Sequence, residues 1–320
     1  MKTLVPLNSI EHLNMLFQSG ADELYLGFYD EGWSHYFDNF SDINRMSGFG
    51  KYANKYNLSE TVEICKTIKE SGRNVFLTMN ANCYSQSQIN YIECNFFPIF
   101  ENTYIDGLII SDQNIAKAAI AAGFNVVSST MCAIYNSDIA EFYYNLGIRR
   151  MILPRDLSLS EIETICHRFP DVEFEVFFMR NGCIFSDCYC LGMHRPECGS
   201  TCGFIRNQPK KTFIKSNKFI DKHNVCTNDF LYNKYFHHDA CGMCSLYRMK
   251  KIGIKSLKIV GRADMVESVC KDLQITKANI DIAQKCSTEQ EYLEKMIFPA
   301  GFPNKCMFGL SCYYPEVRFI

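Results

Sequence analysis

Short apolar runs alternate with amphipathic stretches through the first 180 residues. Runs rich in β-branched and large apolar residues stand at 3–7 (TLVPL), 23–27 (ELYLG), 74–80 (NVFLTMN), 107–111 (GLIIS), 125–129 (NVVSS), 150–154 (RMILP) and 173–178 (EFEVFF). They read as strands. Helical patterns fill most of the gaps, at 9–20, 59–72, 113–123, 137–147 and 158–169. Gly20, Gly72, Gly123 and Gly147 stand where helix C-caps belong. Ser59, Ser137 and Ser158 read as N-caps, and Ser158 with Glu161 forms a capping-box pattern. An eighth strand, 256–261 (SLKIVG), follows a helical stretch at 243–253 and leads into another at 264–274. Such alternation predicts parallel strands joined by right-handed crossovers. Eight units predict an α/β fold of the (β/α)8 TIM-like barrel type. An open doubly wound sheet would often carry a glycine-rich phosphate loop after its first strand, and none follows here.

Two segments break the rhythm. Residues 28–58 form a long loop after strand 2, crowded with aromatics. Residues 183–250 form a cysteine-rich insertion after strand 7. The expected organisation is a barrel over 1–275, interrupted by the 183–250 insertion, then a C-terminal helix and cysteine-containing tail over 276–320. Both long loops would open on the C-terminal face of the barrel, where active sites of this fold lie. The aromatic loop suits a packing flap or a binding lid equally.

Composition narrows the setting. The chain has 320 residues, 47% hydrophobic, with a formal net charge of −2. No global charge draws it to nucleic acid or an anionic membrane. Its N-terminus lacks the apolar core of a signal peptide, and no apolar run reaches the ~18 residues of a membrane span. The expected location is the cytoplasm. Polar residues at the strand ends nominate Asn80, Asp112, Ser128, Arg155, Lys258 and Arg262 for the site. Arg155 and Arg262 have the bidentate donors that grip a carboxylate or phosphate. Glu175, inside strand 7, becomes a buried carboxylate if it points inward, paired with Lys258 or Arg262 or raised in pKa. A run at 206–224 carries six basic residues around Phe213 and Phe219, suited to RNA phosphates and bases or to a solvated hairpin. A peptidase needs a nucleophile–base pair or a metal-bound water, and neither HExxH nor GxSxG occurs. Adjacent histidines in FHHD (236–239) offer a metal site or a solvated loop.

Seventeen cysteines are many for a chain expected to stay in a reducing compartment. Cys65, Cys166 and Cys270 fall at apolar helix positions and read as packing. Five others crowd into 182–202: Cys183, Cys188, Cys190, Cys198 and Cys202. Zinc sites usually use closer pairs, whereas four widely spaced thiolates suit an iron–sulfur cube; zinc stays open. A separate group joins the Cys241/Cys244 CxxC, at a helix start expected to lower thiol pKa, with Cys306 and Cys312 of the tail. Together they make a candidate four-thiolate site for zinc or a second cluster. Cys226 is a spare ligand.

Several segments carry a family resemblance: GADELYLG (20–27), VFLTMNA (75–81), LGIRRMILPRDLSLSEI (146–162), FEVFFMRNGCIFSDCYC (174–190), ECGSTC (197–202) and GIKSLKIVGR (253–262). On these the chain resembles peptidase family U32, the "collagenase-like" proteins. The resemblance implies an iron–sulfur protein with one 4Fe–4S cluster on Cys183, Cys190, Cys198 and Cys202, and with Cys226 or Cys241 as substitute ligands. It also implies oxygen-independent hydroxylation of tRNA, rRNA or a small aromatic metabolite, with prephenate as the oxygen donor. Met179 stands where the family has His, and Val260 where it has Glu, both at strand ends expected to face the pocket. The rival readings are a metallopeptidase and a non-catalytic zinc or cluster module that binds RNA or a partner subunit.

Overall fold

The structure is a computed structural model that describes residues 1–37, 42–100, 104–183, 186–189, 240–302, 306 and 311–318. Eight strands run β1 Lys2–Pro6, β2 Glu23–Leu26, β3 Asn74–Met79, β4 Gly107–Ile110, β5 Val126–Ser128, β6 Arg150–Ile152, β7 Glu173–Met179 and β8 Ser256–Ile259. They form a closed barrel in sequence order, and every neighbouring pair is parallel. This is the expected (β/α)8 architecture. Their cores are buried on both faces, because one face meets the helices and the other fills the barrel.

The helices are α1 Leu13–Gln18, α2 Glu31–Tyr36, α3 Leu58–Glu70, α4 Gln86–Tyr91, α5 Phe97–Phe100, α6 Gln113–Ala121, α7 Ser137–Asn145, α8 Leu159–Arg168, α9 Leu246–Ile252, α10 Val266–Lys285 and α11 Glu289–Lys295. Gly20, Gly72, Gly123 and Gly147 all take positive φ at helix ends, as expected of C-caps. Ser158 caps α8 in a capping box with Glu161. The caps of α3 and α7 lie earlier than the serines suggested. Asn57 caps α3 in a box with Glu60, and the Asn136 side chain accepts from Asp138 and Ile139 N–H at the start of α7. Asparagine serves this role as well as serine does. Helices α2, α4 and α5 are additions to the elements expected from the sequence, and α4 and α5 are joined by a π-turn at Ile92–Phe96. Helix α10 runs unbroken across residue 275.

The aromatic loop after β2 divides its labour. Trp33 of α2 is buried among Phe37, Tyr84, Tyr91 and Phe96, with the Phe96 ring stacked on it at 5.8 Å. This half is packing. Further on, Arg45, Met46 and Phe49 turn towards the barrel mouth.

Candidate active site

Alternate strand residues point into the barrel, and the lower interior layer is ionic. Arg150 of β6 donates to Glu23 of β2 at 2.5 Å and to Glu175 of β7 at 2.7 Å. Lys258 of β8 closes the chain, 2.8 Å from Glu175. Glu23 and Glu175 are fully buried. Burial pushes the Glu23 carboxyl up, but the hydrogen bonds and charge of Arg150 outweigh it and hold the pKa below its ordinary value. Glu175 therefore does point inward, and its partners are Lys258 and Arg150. Arg262 is not among them. Lys2 adds a cation 3.2 Å from Glu23 and Glu173 a carboxylate 3.7 Å from Arg150, so three carboxylates and three cations leave this floor electrically balanced.

One layer higher lies a cavity of about 370 Å³. That volume falls within the range of small-molecule sites. Its walls include Tyr25, Ile109, Ile152, Phe177 and Val260, and its polar groups include Arg45, Asn80, Arg155, Lys258 and Arg262. Burial lowers the Lys258 pKa; Glu175 opposes this, while Arg150 and Arg262 add to it. The ammonium lies 4.3 Å from the centre of the Tyr25 ring.

The arginines divide into two kinds. Arg45 and Arg155 each lie 2.6 Å from the same carboxylate, Asp187, which also accepts the Thr130 hydroxyl at 3.2 Å. Burial pushes Asp187 up, yet Arg155 and Arg45 together bring it down to about 2. Arg155 also lies flat over Phe177 at 3.9 Å and donates to the Asn181 carbonyl. Two guanidiniums on one carboxylate leave a surplus positive charge.

Arg262 has no carboxylate partner among the described residues. Its guanidinium donates to Thr78 Oγ1 at 2.9 Å and to Asn54 Oδ1 at 3.4 Å, both neutral. It is 6% exposed, and burial pulls its pKa down to about 10. Gly27 makes the room: a Cβ there would stand 2.4 Å from Arg262 Nη1 and 2.1 Å from Asn54 Oδ1. Asp264, also on the cavity wall, is bound to Arg180 at 3.0 Å and to Asn181 at 2.9 Å, and Arg180 is shared with Asp272.

Arg155, Lys258, Arg262 and Asn80 thus meet at one cavity. Asn80 Oδ1 accepts the Arg45 N–H and its Nδ2 donates to Ser129. Asp112 does not line the cavity. Its carboxylate caps α6 through the N–H groups of Asn114 and Ile115. Ser128 is buried, and among the described residues its hydroxyl has no partner. Val260 lines the cavity as expected, but Met179 does not: it is buried beside Cys241 in an antiparallel bridge. A register shift between Phe177 and Met179 turns that strand end away. The sequence reading missed Arg45, Asp187, Arg150 and Glu23.

Cys183 lies on the cavity wall. Cys190, Cys198, Cys202 and Cys226 lie outside the described residues, as do the basic run at 206–224 and FHHD at 236–239. Of the four cysteines expected to hold a cluster, the described residues include Cys183, a thiol at the mouth. Cys65, Cys166 and Cys270 are buried in the helical layer, as packing requires. Cys241 departs from expectation. Burial raises its thiol to about 12, with the neighbouring Cys244, Cys312 and Cys306 adding to the rise and the Met243 N–H opposing it. The helix start does not overcome desolvation. No helix among the described residues is long and apolar enough to cross a membrane.

The sequence profile of peptidase family U32 matches residues 8–300. The chain is similar to an uncharacterized protease of Methanocaldococcus jannaschii. That match is 24% identical over 297 residues, covering 88% of this chain and 65% of the relative. It is similar to tRNA hydroxylation protein P of Helicobacter pylori, 27% identical over 214 residues, covering 64% of this chain and 47% of the relative. It is also similar to the 23S rRNA 5-hydroxycytidine synthase of Escherichia coli, 25% identical over 164 residues, covering 48% and 24%. The chain spans less than two thirds of the length of each of these relatives.

Proposed function

The chain belongs to peptidase family U32, and on that footing we propose that it is an iron–sulfur-dependent enzyme that hydroxylates an RNA base without molecular oxygen. A small dianionic oxygen donor such as prephenate would bind in the barrel mouth. The observation that carries this reading is Arg262, a buried guanidinium with no carboxylate partner among the described residues, facing a cavity of about 370 Å³. An unpaired buried charge is costly unless a ligand neutralises it. The second surplus charge, shared by Arg45 and Arg155 over Asp187, makes the preferred ligand a dianion. The names of the H. pylori and E. coli relatives support RNA as the hydroxylated partner.

In this reading Arg262 and the Arg45–Asp187–Arg155 clamp orient the donor's two carboxylates. Tyr25, Ile109, Ile152 and Phe177 form walls that exclude water. Lys258, with its lowered pKa, holds or releases a proton at Nζ on the cavity floor. Cys183 with Cys190, Cys198 and Cys202 would hold the 4Fe–4S cluster. When bound, the cluster supplies redox capacity beside the mouth. The target base must leave its stack to reach this depth.

The test is calorimetric titration of oxygen-free protein with prephenate, followed by RNA incubation and mass analysis for a gained oxygen atom. Binding that weakens about 10- to 100-fold in Arg262→Gln, with hydroxylation that depends on the donor, is the expected result. No binding at concentrations up to about 1 mM, some 4 kcal/mol of affinity, sinks the donor assignment. Peptide cleavage that persists after iron removal would favour the metallopeptidase.

A further inference from the structure

Beside the end of β7, the CxxC segment and the C-terminal tail enclose a second, much smaller cavity of about 20 Å³. Cys241, Cys244, Cys306 and Cys312 all line it, with Met243 and Met296 among the apolar residues around them. We propose that these four cysteines form a mononuclear four-thiolate site that takes one soft divalent ion, zinc by preference, separate from the thiols of 182–202. This inference does not rest on the proposed function.

Backbone pairing brings the two sequence-distant segments together. Cys241 N–H donates to the Ser311 carbonyl at 2.8 Å, and Tyr313 N–H donates to the Cys241 carbonyl at 3.0 Å. These bonds set Cys241 and Cys312 opposite one another in a parallel bridge, so their side chains leave on the same side. Inside the CxxC, the Met243 N–H points at Cys241 Sγ from 3.4 Å. A donor aimed at sulfur favours the thiolate. Soft thiolates in fours select a tetrahedral ion, zinc above all.

Size chooses between a single ion and a cluster. A cavity of about 20 Å³ is little more than one water-sized sphere. One ion with sulfurs at about 2.3 Å needs no more space than that, whereas four irons and four sulfides need far more. The wall is mostly apolar, although Ser245, Ser311, Tyr314 and Arg318 also line it. As they lie, no three His, Cys, Asp or Glu side chains among the described residues are disposed to hold an ion. The thiols therefore close onto the metal as it binds. Four S–H bonds break, four metal–sulfur bonds form, four protons leave and no electron moves. No oxidant is needed.

The test begins with zinc, iron and acid-labile sulfide analysis of the full chain, purified without oxygen and equilibrated with zinc. One zinc per chain with four sulfur neighbours at about 2.3 Å by X-ray absorption is expected. Cys244→Ser and Cys312→Ser should each lose that zinc and keep the iron and sulfide, while Cys94→Ser should lose neither. Zinc retained in both variants, or fewer than three sulfur neighbours, overturns the site. Iron and sulfide lost with Cys244 or Cys312 overturns it in favour of a cluster. If the variants do not fold, wild-type protein still decides. Alkylation of the four cysteines, mapped by peptide mass spectrometry, should be blocked until a zinc chelator is added. Equal labelling with and without chelator overturns the proposal.

Discussion

The floor and the mouth of the barrel are both rich in charge, yet they are built to opposite ends. On the floor, Arg150 and Lys258 meet Glu23 and Glu175, and each of these four charges has a partner within 2.8 Å. At the mouth, Arg45 and Arg155 share Asp187, and among the described residues Arg262 donates to amide and hydroxyl oxygens and to no carboxylate. A balanced buried network holds strands in register and asks nothing of a ligand. A surplus of buried positive charge is a vacancy for an anion. The number of cations does not separate the two regions. Their compensation does.

Breaking the floor should have the largest effect. Arg150→Met leaves Glu23 and Glu175 buried without their shared partner, with an expected loss of about 3–5 kcal/mol in urea unfolding. A loss below about 1 kcal/mol, the scale of an exposed pair, would erase the distinction drawn here. Next comes Arg262→Gln at the mouth. Donor affinity should fall about 10- to 100-fold, the scale of charge-assisted hydrogen bonds, while the unfolding midpoint holds or rises. A stability loss like that of Arg150→Met would make Arg262 a structural residue.

Acid should separate the regions further. Asp187 has its pKa lowered from 3.8 to about 2 in the fold. Its stabilisation is full above the unfolded value and is lost as pH falls through the folded one. About 2 kcal/mol should disappear between these limits, and Asp187→Asn should flatten that part of the stability–pH curve. The smallest change is Val260→Glu, which adds a carboxylate to the mouth wall. It should weaken dianion binding roughly tenfold by offsetting one surplus charge. Unchanged affinity, read by the same titration, would place the anion away from Val260.

The barrel was legible because strand and helix periodicity are local signals, and all eight strands stand where the apolar runs stand. Arg155, Lys258, Arg262 and Asn80 were legible from their places at strand ends. Arg45 and Asp187 were not, because their bond joins residues 142 positions apart and no local pattern announces it. Arg150 looked like the polar edge of a strand, and only closure of the barrel points it at Glu23. Asp112 shows the reverse error: a polar residue after a strand is as well placed to cap the next helix as to face the pocket. Met179 depended on a local register shift, which alternation alone does not reveal.

The tail reaches back to β7 at the mouth. Tyr314 donates to the Phe177 carbonyl at 2.9 Å, Tyr313 stacks on Phe177, and Glu316 accepts from the Leu159 N–H at 2.7 Å. On the ribosome, β7 therefore waits for more than a hundred residues before its backing arrives. The barrel strands can pair earlier, but the wall behind Phe177 is finished only when 311–318 emerge. A chain stalled before that point would carry a closed barrel with an unsupported mouth, and cellular quality control would meet it in that state.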